Sequence, residues 1–155
     1  MLTRLSQFFG ADPTRPQAYR DFTQRYQQDP AALSGADVAH HYGDLATYLD
    51  EQDMDAAHEQ AFGHLSEQDR RALAQQYQYA SRDPTRPFQG YPAGTHFNQM
   101  TQPRRLGRMT RNAAHHDPDL LSELVGPDSP LNSTGAKLAM AAAVAALASR
   151  YLRKH

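Results

Sequence analysis

The segment from residue 136 to residue 152 constrains the fold more than any other part of the chain. After Lys137 it is apolar on every side for about 12 residues, and it then ends in basic side chains. A helix with no polar face is stable only where every face is covered. Its many alanines also allow neighbouring backbones to approach closely. The rest of the chain, a partner or a lipid surface must therefore cover this helix.

Three arrangements would cover such a helix, and the sequence leaves all three open. It can be the central helix of its own domain, wrapped by the others. It can form an interface with a protein partner or with a second copy of the chain. It can also lie on an anionic membrane surface as part of 136–154, with residues 1–9 as a second anchor. For the interface, the side chains expected to make contact are Leu138, Met140, Val144, Leu147 and Tyr151.

Apolar residues recur at helical spacing along most of the chain. Tyr19, Phe22 and Tyr26 form one such stripe, and no segment longer than four residues shows the alternation of a strand. Ser34 and Ser66 stand where helix N-caps are expected. The pattern therefore predicts helices and gives no support to a sheet.

The length of 155 residues suits one domain of ordinary size and is too short for two. We therefore predict an all-α fold, a small bundle of about 5–7 helices in a single domain over residues 1–155. A helical module at 14–82 is followed by a loop or irregular region at 83–133 and by a C-terminal helix at 134–154.

The middle region opens with a segment too rich in proline and glycine for a helix. Residues 83–94 contain three prolines and two glycines. We expect a long loop that packs Phe88, Tyr91 and Phe97 onto the helices, followed by a short helix over 117–125. Loops of this length are uncommon within a domain, so the segment either has a function or links two parts.

One pentapeptide, Asp-Pro-Thr-Arg-Pro, occurs twice, at 12–16 and at 83–87. Both copies can be turns and caps that bracket the helical module, with Thr14 as the cap of the first confident helix. Alternatively, Arg15 and Arg86 share a role in binding a ligand. The sequences around the two copies do not align into a longer repeat.

Histidine and carboxylate residues are paired on two neighbouring helices. His41 stands three residues before Asp44, and Asp55 stands three residues before His58. The candidate ligands are His41, Asp44 and His58, with Glu59 beside His58. Because residues three or four apart share a helix face, antiparallel packing of these helices would bring four ligands of a divalent metal together. The chain lacks the Glu-x-x-His and His-Glu-x-x-His patterns of established helical metal sites. The alternative is a solvated histidine-rich face with one packed histidine.

Four arginines cluster in the second half of the chain, at Arg104, Arg105, Arg108 and Arg111. On a helix they form a basic stripe, and the arginine fork suits the phosphates of nucleic acid or lipid, or an acidic partner. The first hundred residues carry 8 basic and 13 acidic side chains, and the rest carry 8 and 4. The stripe can therefore also dock on the acidic half of its own chain. We expect any binding of nucleic acid to be weak, since no helix-turn-helix surrounds these arginines.

Several classes of protein are disfavoured by what the sequence lacks. Without cysteine there is no disulfide and no thiol nucleophile. The chain has no Gly-x-Ser-x-Gly elbow and no phosphate-binding glycine loop, so catalysis is not expected. No apolar run has the length of a signal peptide or a membrane span, which favours the cytoplasm or the inner membrane surface. The excess of 14 arginines over 2 lysines is typical of a GC-rich bacterial genome.

These observations favour a non-enzymatic helical binding protein that associates with a protein partner, or with itself, through the alanine-rich helix. Three alternatives stay open. The chain can attach peripherally to a membrane, bind a divalent metal through its histidine and carboxylate pairs, or bind nucleic acid weakly through its arginines. No cofactor other than that metal is indicated by the sequence.

Overall fold

The computed structural model describes residues 2–126 and 135–152, and helices make up most of both ranges. Nine α-helices and no strand occur in these ranges, which confirms the predicted all-α fold. The helices are α1 (Leu2–Gly10), α2 (Arg15–Gln28), α3 (Gly35–Tyr48), α4 (Glu51–Gly63), α5 (Glu67–Arg82), α6 (Phe97–Met100), α7 (Pro103–His116), α8 (Pro118–Val125) and α9 (Gly135–Leu152). A single 3₁₀ turn at Pro30–Ala32 lies between α2 and α3.

Helix α9 lies at the centre of the bundle. It contacts α1, α2, α3, α4, α5 and α8, so its own chain covers most of its circumference. Ten of its residues are buried, and Ala141, Ala143, Val144 and Ala148 have no exposed surface. Small side chains at these positions let the surrounding helices approach the α9 backbone. Of the three arrangements that would cover this helix, the structure therefore shows the central one.

Four helices begin at side chains that cap them. Ser34, Asp50, Ser66 and Asp117 each accept a hydrogen bond from the backbone N–H three residues later. Such caps satisfy donors that the first turn of a helix leaves free, and each contributes about 1 kcal/mol. The caps at Ser34 and Ser66 confirm the prediction and fix the residues at which α3 and α5 begin.

The two copies of the repeated pentapeptide fold into the same turn. In the first copy the N–H and the hydroxyl of Thr14 both donate to Asp12 Oδ1, over 2.9 and 2.7 Å. In the second copy Thr85 donates the same two bonds to Asp83, over 2.9 and 2.6 Å. These bonds hold the pKa of each aspartate below its ordinary value. Thr14 occupies the N-cap position of α2, as predicted, but its hydroxyl donates to Asp12 and accepts no hydrogen bond from the first turn, so the predicted side-chain cap does not form.

The arginine of each copy fastens its turn to another helix. Arg15 donates to the Phe8 carbonyl over 2.7 Å, and its guanidinium lies 4.2 Å from the centre of the Phe8 ring. Arg86 donates to Asp117 over 2.9 Å and also pairs with Glu123. Hydrogen bonds to these two carboxylates raise the pKa of Arg86. Both arginines are thus engaged within the chain, which favours turn segments over a shared ligand site.

The predicted irregular region at 83–133 differs from the structure, because α6 and α7 lie within it. Helix α8 confirms the short helix predicted over 117–125. Pro103 and Pro118 stand at the first residue of α7 and α8, where proline starts a helix without disrupting it. Helices α6 and α7 bring the number above the predicted 5–7. The predicted start of the last helix at residue 134, together with its basic end after residue 152, lies outside the described residues.

The loop between α5 and α6 is held in place by its aromatic residues. Phe88 is buried, and its ring stacks on Tyr77 with the centres 5.2 Å apart. Tyr91 and Phe97 are partly buried against the core, as predicted. The hydroxyl of Tyr77 also shares a 2.6 Å hydrogen bond with Thr110. The loop is therefore fastened to α5, and through Tyr77 to α7.

Replacing Ala143 with leucine is expected to lower the free energy of unfolding by about 1–3 kcal/mol. Ala143 has no exposed surface, so the added carbons must displace the helices packed around α9. Its neighbour Ala142 is partly exposed, and leucine there should cost less than about 0.5 kcal/mol. Denaturant unfolding of both variants measures the difference. Equal costs would contradict the central position of α9.

Candidate functional site

The side chains predicted to form an interface on α9 lie mostly inside the chain. Met140, Val144 and Leu147 are buried, and Leu138 and Tyr151 are only partly exposed. Met140, Val144 and Leu147 therefore belong to the core of their own chain, and Tyr151 packs against it. The part of α9 that faces outward is a different strip, which includes Ala142, Ala146 and Ser149 and which no pattern in the sequence indicates.

The apolar residues near the N-terminus are buried as well. Leu5, Phe8 and Phe9 are at most 4% exposed, while Leu2 lies outside the residues whose side chains are described. Phe9 stacks on Tyr151 with ring centres 4.4 Å apart. The two segments predicted as membrane anchors thus pack against each other. Among the described helices, none combines the length and the apolar character needed to cross a bilayer.

A groove of about 710 Å³ runs along the outward strip of α9. Ala142, Ala146, Ser149 and Leu152 line it at helical spacing. Its other walls come from α2 and from the end of α4, and their residues include Arg20, Thr23, Gln24, Gln27, Gln60 and His64. Three helices that are distant in sequence therefore build one concave surface.

The charge of this groove is one-sided. Arg20 and Arg150 line it, and no carboxylate does. Within the described residues, neither arginine has a hydrogen bond or an ion pair. Gln24, Gln27 and Gln60 add uncharged amides that can donate and accept hydrogen bonds. The groove thus combines a strip of small side chains with an amide wall and two uncompensated positive charges.

The four predicted metal ligands are held apart by other partners. The Nδ1 atom of His41 lies 2.8 Å from a backbone carbonyl of its own helix, and Asp44 pairs with a neighbouring histidine over 3.4 Å. Glu59 pairs with Arg104 over 3.3 Å, and His58 is enclosed in the core. No group of three or more histidine or carboxylate side chains in the described ranges is placed to hold a metal ion.

His58 is fully buried and shares one hydrogen bond with Tyr42. Its Nε2 lies 2.8 Å from the Tyr42 hydroxyl, while Nδ1 has no partner in the described part of the chain. We assign the hydroxyl as the donor to Nε2, since this satisfies the tyrosine proton and leaves the imidazole proton on Nδ1. Burial lowers the pKa of His58 to about 4, although the negative charge of Asp55 acts to raise it. The imidazole is therefore neutral at physiological pH.

The backbone of α7 touches the His58 ring at Gly107. A Cβ atom on Gly107 would lie 2.2 Å from Cγ of His58 and 2.3 Å from its Cβ. Only glycine therefore lets α4 and α7 approach this closely, and their contact is the most extensive between any two described helices. An isolated glycine within a helical pattern is a signal of such a packing role, but it does not identify the partner.

The predicted arginine stripe is largely paired with the acidic side of α4. Arg104 pairs with Glu59 over 3.3 Å. Arg108 donates two hydrogen bonds to Asp55, over 3.1 and 2.8 Å, and pairs with Glu51. These contacts lower the pKa of Asp55 and raise that of Arg108. Two of the four arginines therefore dock on acidic residues of their own chain, one of the outcomes that the charge distribution allowed.

The other two arginines differ from each other. Arg111 donates two hydrogen bonds to the Leu49 carbonyl at the end of α3, over 3.1 and 2.9 Å. On the next turn of α7, His115 Nε2 lies 2.9 Å from the Ala46 carbonyl. Arg105 is exposed and has no hydrogen-bond or ion-pair partner within the described ranges. One arginine of the stripe thus stays free to meet a ligand.

Replacing Gly107 with alanine is expected to destabilise the fold by about 2 kcal/mol or more, because the new methyl group overlaps the His58 ring. Gly43 is the matched control, since a Cβ there meets nothing within 4 Å. Alanine at Gly43 should stabilise α3 by about 0.5–1 kcal/mol. Thermal and denaturant unfolding measure both changes. A neutral result at Gly107 would contradict the close contact.

The buried His58 is expected to make stability depend on pH. Its pKa is about 4 in the folded chain, below the ordinary value of 6.5, so between these values the unfolded chain binds more protons. The stability that follows from this lowered pKa is fully present above pH 6.5. It is lost as the pH falls toward 4, so the free energy of unfolding decreases by up to about 3 kcal/mol. Unfolding of His58→Gln should show a shallower pH dependence in this window, whereas His96→Gln at an exposed site should match the parent chain. Identical slopes in all three would refute the assignment.

Comparison with protein-family models, with curated proteins and with solved structures finds no match for this chain.

Proposed function

We propose that this chain is a non-enzymatic binding protein whose groove between α2, α4 and α9 takes an amphipathic helix with an acidic polar face from a partner protein. The observation that carries the proposal is the outward strip of α9. Ala142, Ala146 and Ser149 line the groove and are partly exposed, whereas the alanines on the other faces of α9 are buried. Small residues continue onto a face of α9 that none of the described helices covers.

The size of the groove suits a docked helix. From Ala142 to Leu152 the strip extends about 15 Å along the α9 axis, the length of about three helical turns. Small side chains let the backbone of a second helix approach closely. Helices that dock in this way present apolar residues at positions i, i+3, i+4 and i+7, and keep a polar face toward the rim.

The charge of the groove selects among such helices. Arg20 and Arg150 are without carboxylate partners in the described ranges, and the three glutamines of the wall add no charge. An acidic face on the partner would compensate both arginines and steer the encounter. A basic face would meet like charge there. We therefore expect glutamate or aspartate on the polar face of the partner helix.

The partner is expected to be a different protein. A second copy would have to supply an acidic helix, and α4 is a helix with a row of carboxylates. Its Glu51, Asp55 and Glu59 are paired with the arginines of α7, so self-association through α4 would break those pairs. A different protein is therefore favoured over a second copy of the chain as the partner that binds in the groove.

The proposal is tested with three helical peptides of about 14 residues that share one alanine and leucine face. Their polar faces carry glutamate, glutamine or lysine, and fluorescence anisotropy measures binding to the full chain. We expect affinity to fall in that order. Arg20→Glu is expected to weaken the glutamate peptide about tenfold, and Arg82→Glu, an exposed arginine that does not line the groove, to leave it unchanged.

A steric variant identifies the groove as the binding surface. Ala146→Tyr fills the strip of α9 and is expected to abolish binding of the glutamate peptide. Ala18→Tyr adds the same ring at an exposed position of α2 outside the groove and should have no effect. Circular dichroism confirms that both variants are folded. Equal binding of the three peptides, or unchanged binding by Ala146→Tyr, would overturn the proposal.

A further inference from the structure

A second concavity, of about 400 Å³, lies between α7 and the loop segment at 89–92. Its charged lining consists of Arg105, Arg108 and Arg111, with Glu51 as the one carboxylate among the residues that line it. We propose that this pocket binds a small phosphate monoester. The pocket shares no residue with the groove between α2, α4 and α9, so the inference stands independently of the proposed function.

The arginines of the pocket keep donors available. Arg105 has no partner within the described residues. Arg108 commits Nε and Nη2 to Asp55, and Arg111 commits the same two nitrogens to the Leu49 carbonyl. Their Nη1 groups have no protein partner in the same ranges. The pairs with Asp55 and Leu49 thus hold two guanidinium groups in fixed positions beside a third that is free.

An amide completes this set of donors. Asn112 Oδ1 accepts a hydrogen bond from the Gln89 backbone N–H over 3.2 Å. This bond fixes the orientation of the side chain and leaves Nδ2 as a donor on a residue that lines the pocket. His116 lines the same pocket and makes no hydrogen bond to described residues. Several N–H donors from one helix suit an anion with several acceptor oxygens, as phosphate is.

The loop that closes the pocket is fixed against α7. A Cβ on Gly90 would lie 2.7 Å from Cζ of Phe88 and 3.1 Å from Cβ of Asn112, so only glycine allows this approach. Phe88 itself is buried on Tyr77. The pocket wall is therefore formed before any ligand arrives, which spares the cost of ordering a loop on binding.

The shape of the pocket favours a small ligand over nucleic acid. A duplex or a single strand needs an extended basic track. Here Arg104 pairs with Glu59 outside the pocket, and Arg108 pairs with Asp55. The positive charge of α7 that no carboxylate compensates is therefore that of Arg105 and Arg111, and both line this one concave site. The volume lies within the range of small-molecule sites, about 300–1,000 Å³. Met100, Met109 and Pro92 also line the pocket and offer apolar contact to an organic group carried by the phosphate.

Titration calorimetry of the full chain tests this site, with phenyl phosphate as the probe and phenol as the control that lacks the phosphate. We expect saturable binding of phenyl phosphate and none of phenol. Arg105→Gln should weaken the binding about tenfold or more, because one charged donor is lost. Arg104→Gln, at the adjacent arginine outside the pocket, should change it by less than about twofold.

An isosteric variant probes the amide. Asn112→Asp keeps the oxygen that accepts from Gln89 but replaces the Nδ2 donor with a negative oxygen, so it should weaken the binding more than Arg105→Gln does. Arg105 is exposed and unpaired within the described residues, so its substitution leaves the fold intact and is the deciding variant.

Three results would overturn the proposal. The first is equal binding of phenol and phenyl phosphate, or binding of neither. The second is equal weakening by Arg105→Gln and Arg104→Gln, which would indicate a diffuse basic surface. The third is tighter binding of a single-stranded oligonucleotide than of phenyl phosphate with loss in both arginine variants, which would indicate a nucleic-acid surface.

Discussion

The spacing between α4 and α7 is set where the imidazole of His58 lies against Gly107, and most of the polar architecture follows from that contact. At this spacing, carboxylates one turn apart on α4 meet the arginines of α7. The last turns of α7 also reach the free carbonyls at the end of α3, through Arg111 and His115. One glycine thus allows α7 to contact both the carboxylates of α4 and the carbonyls at the end of α3.

Helix α9 has two kinds of surface, a buried one and a strip that lines the groove. On most faces its alanines are buried and let six helices gather around one axis. On the remaining strip the same kind of side chain borders an open groove, whose two arginines have no ion-pair partner among the described residues. The helix needed for the stability of the bundle is therefore also a wall of the groove proposed to bind a partner, and Ala143 and Ala142 stand on the two sides of that boundary.

Local chemistry made much of the fold predictable. A helix without a polar face predicted its own burial, and Ser34 and Ser66 marked two helix starts through a hydrogen bond within the first turn. Features that depend on distant segments were not predictable. Nothing within α7 indicates that Gly107 meets His58, or that Arg105 alone among the four arginines has no partner in the described part of the chain. The groove was not predictable either, because its three walls, from α2, α4 and α9, are far apart in sequence.

The position of α9 in chain order has a consequence for biosynthesis. The most central helix is the last of the described helices to leave the ribosome, and the stacked rings of Phe9 and Tyr151 join residues 142 positions apart. Until α9 emerges, the faces of α2, α3 and α4 that pack against it have no partner, although α7 and α8 can already cover other faces of α3 and α4. Nascent chains of this protein therefore expose the apolar residues of these faces until α9 has been synthesised, which makes its docking a late step of folding.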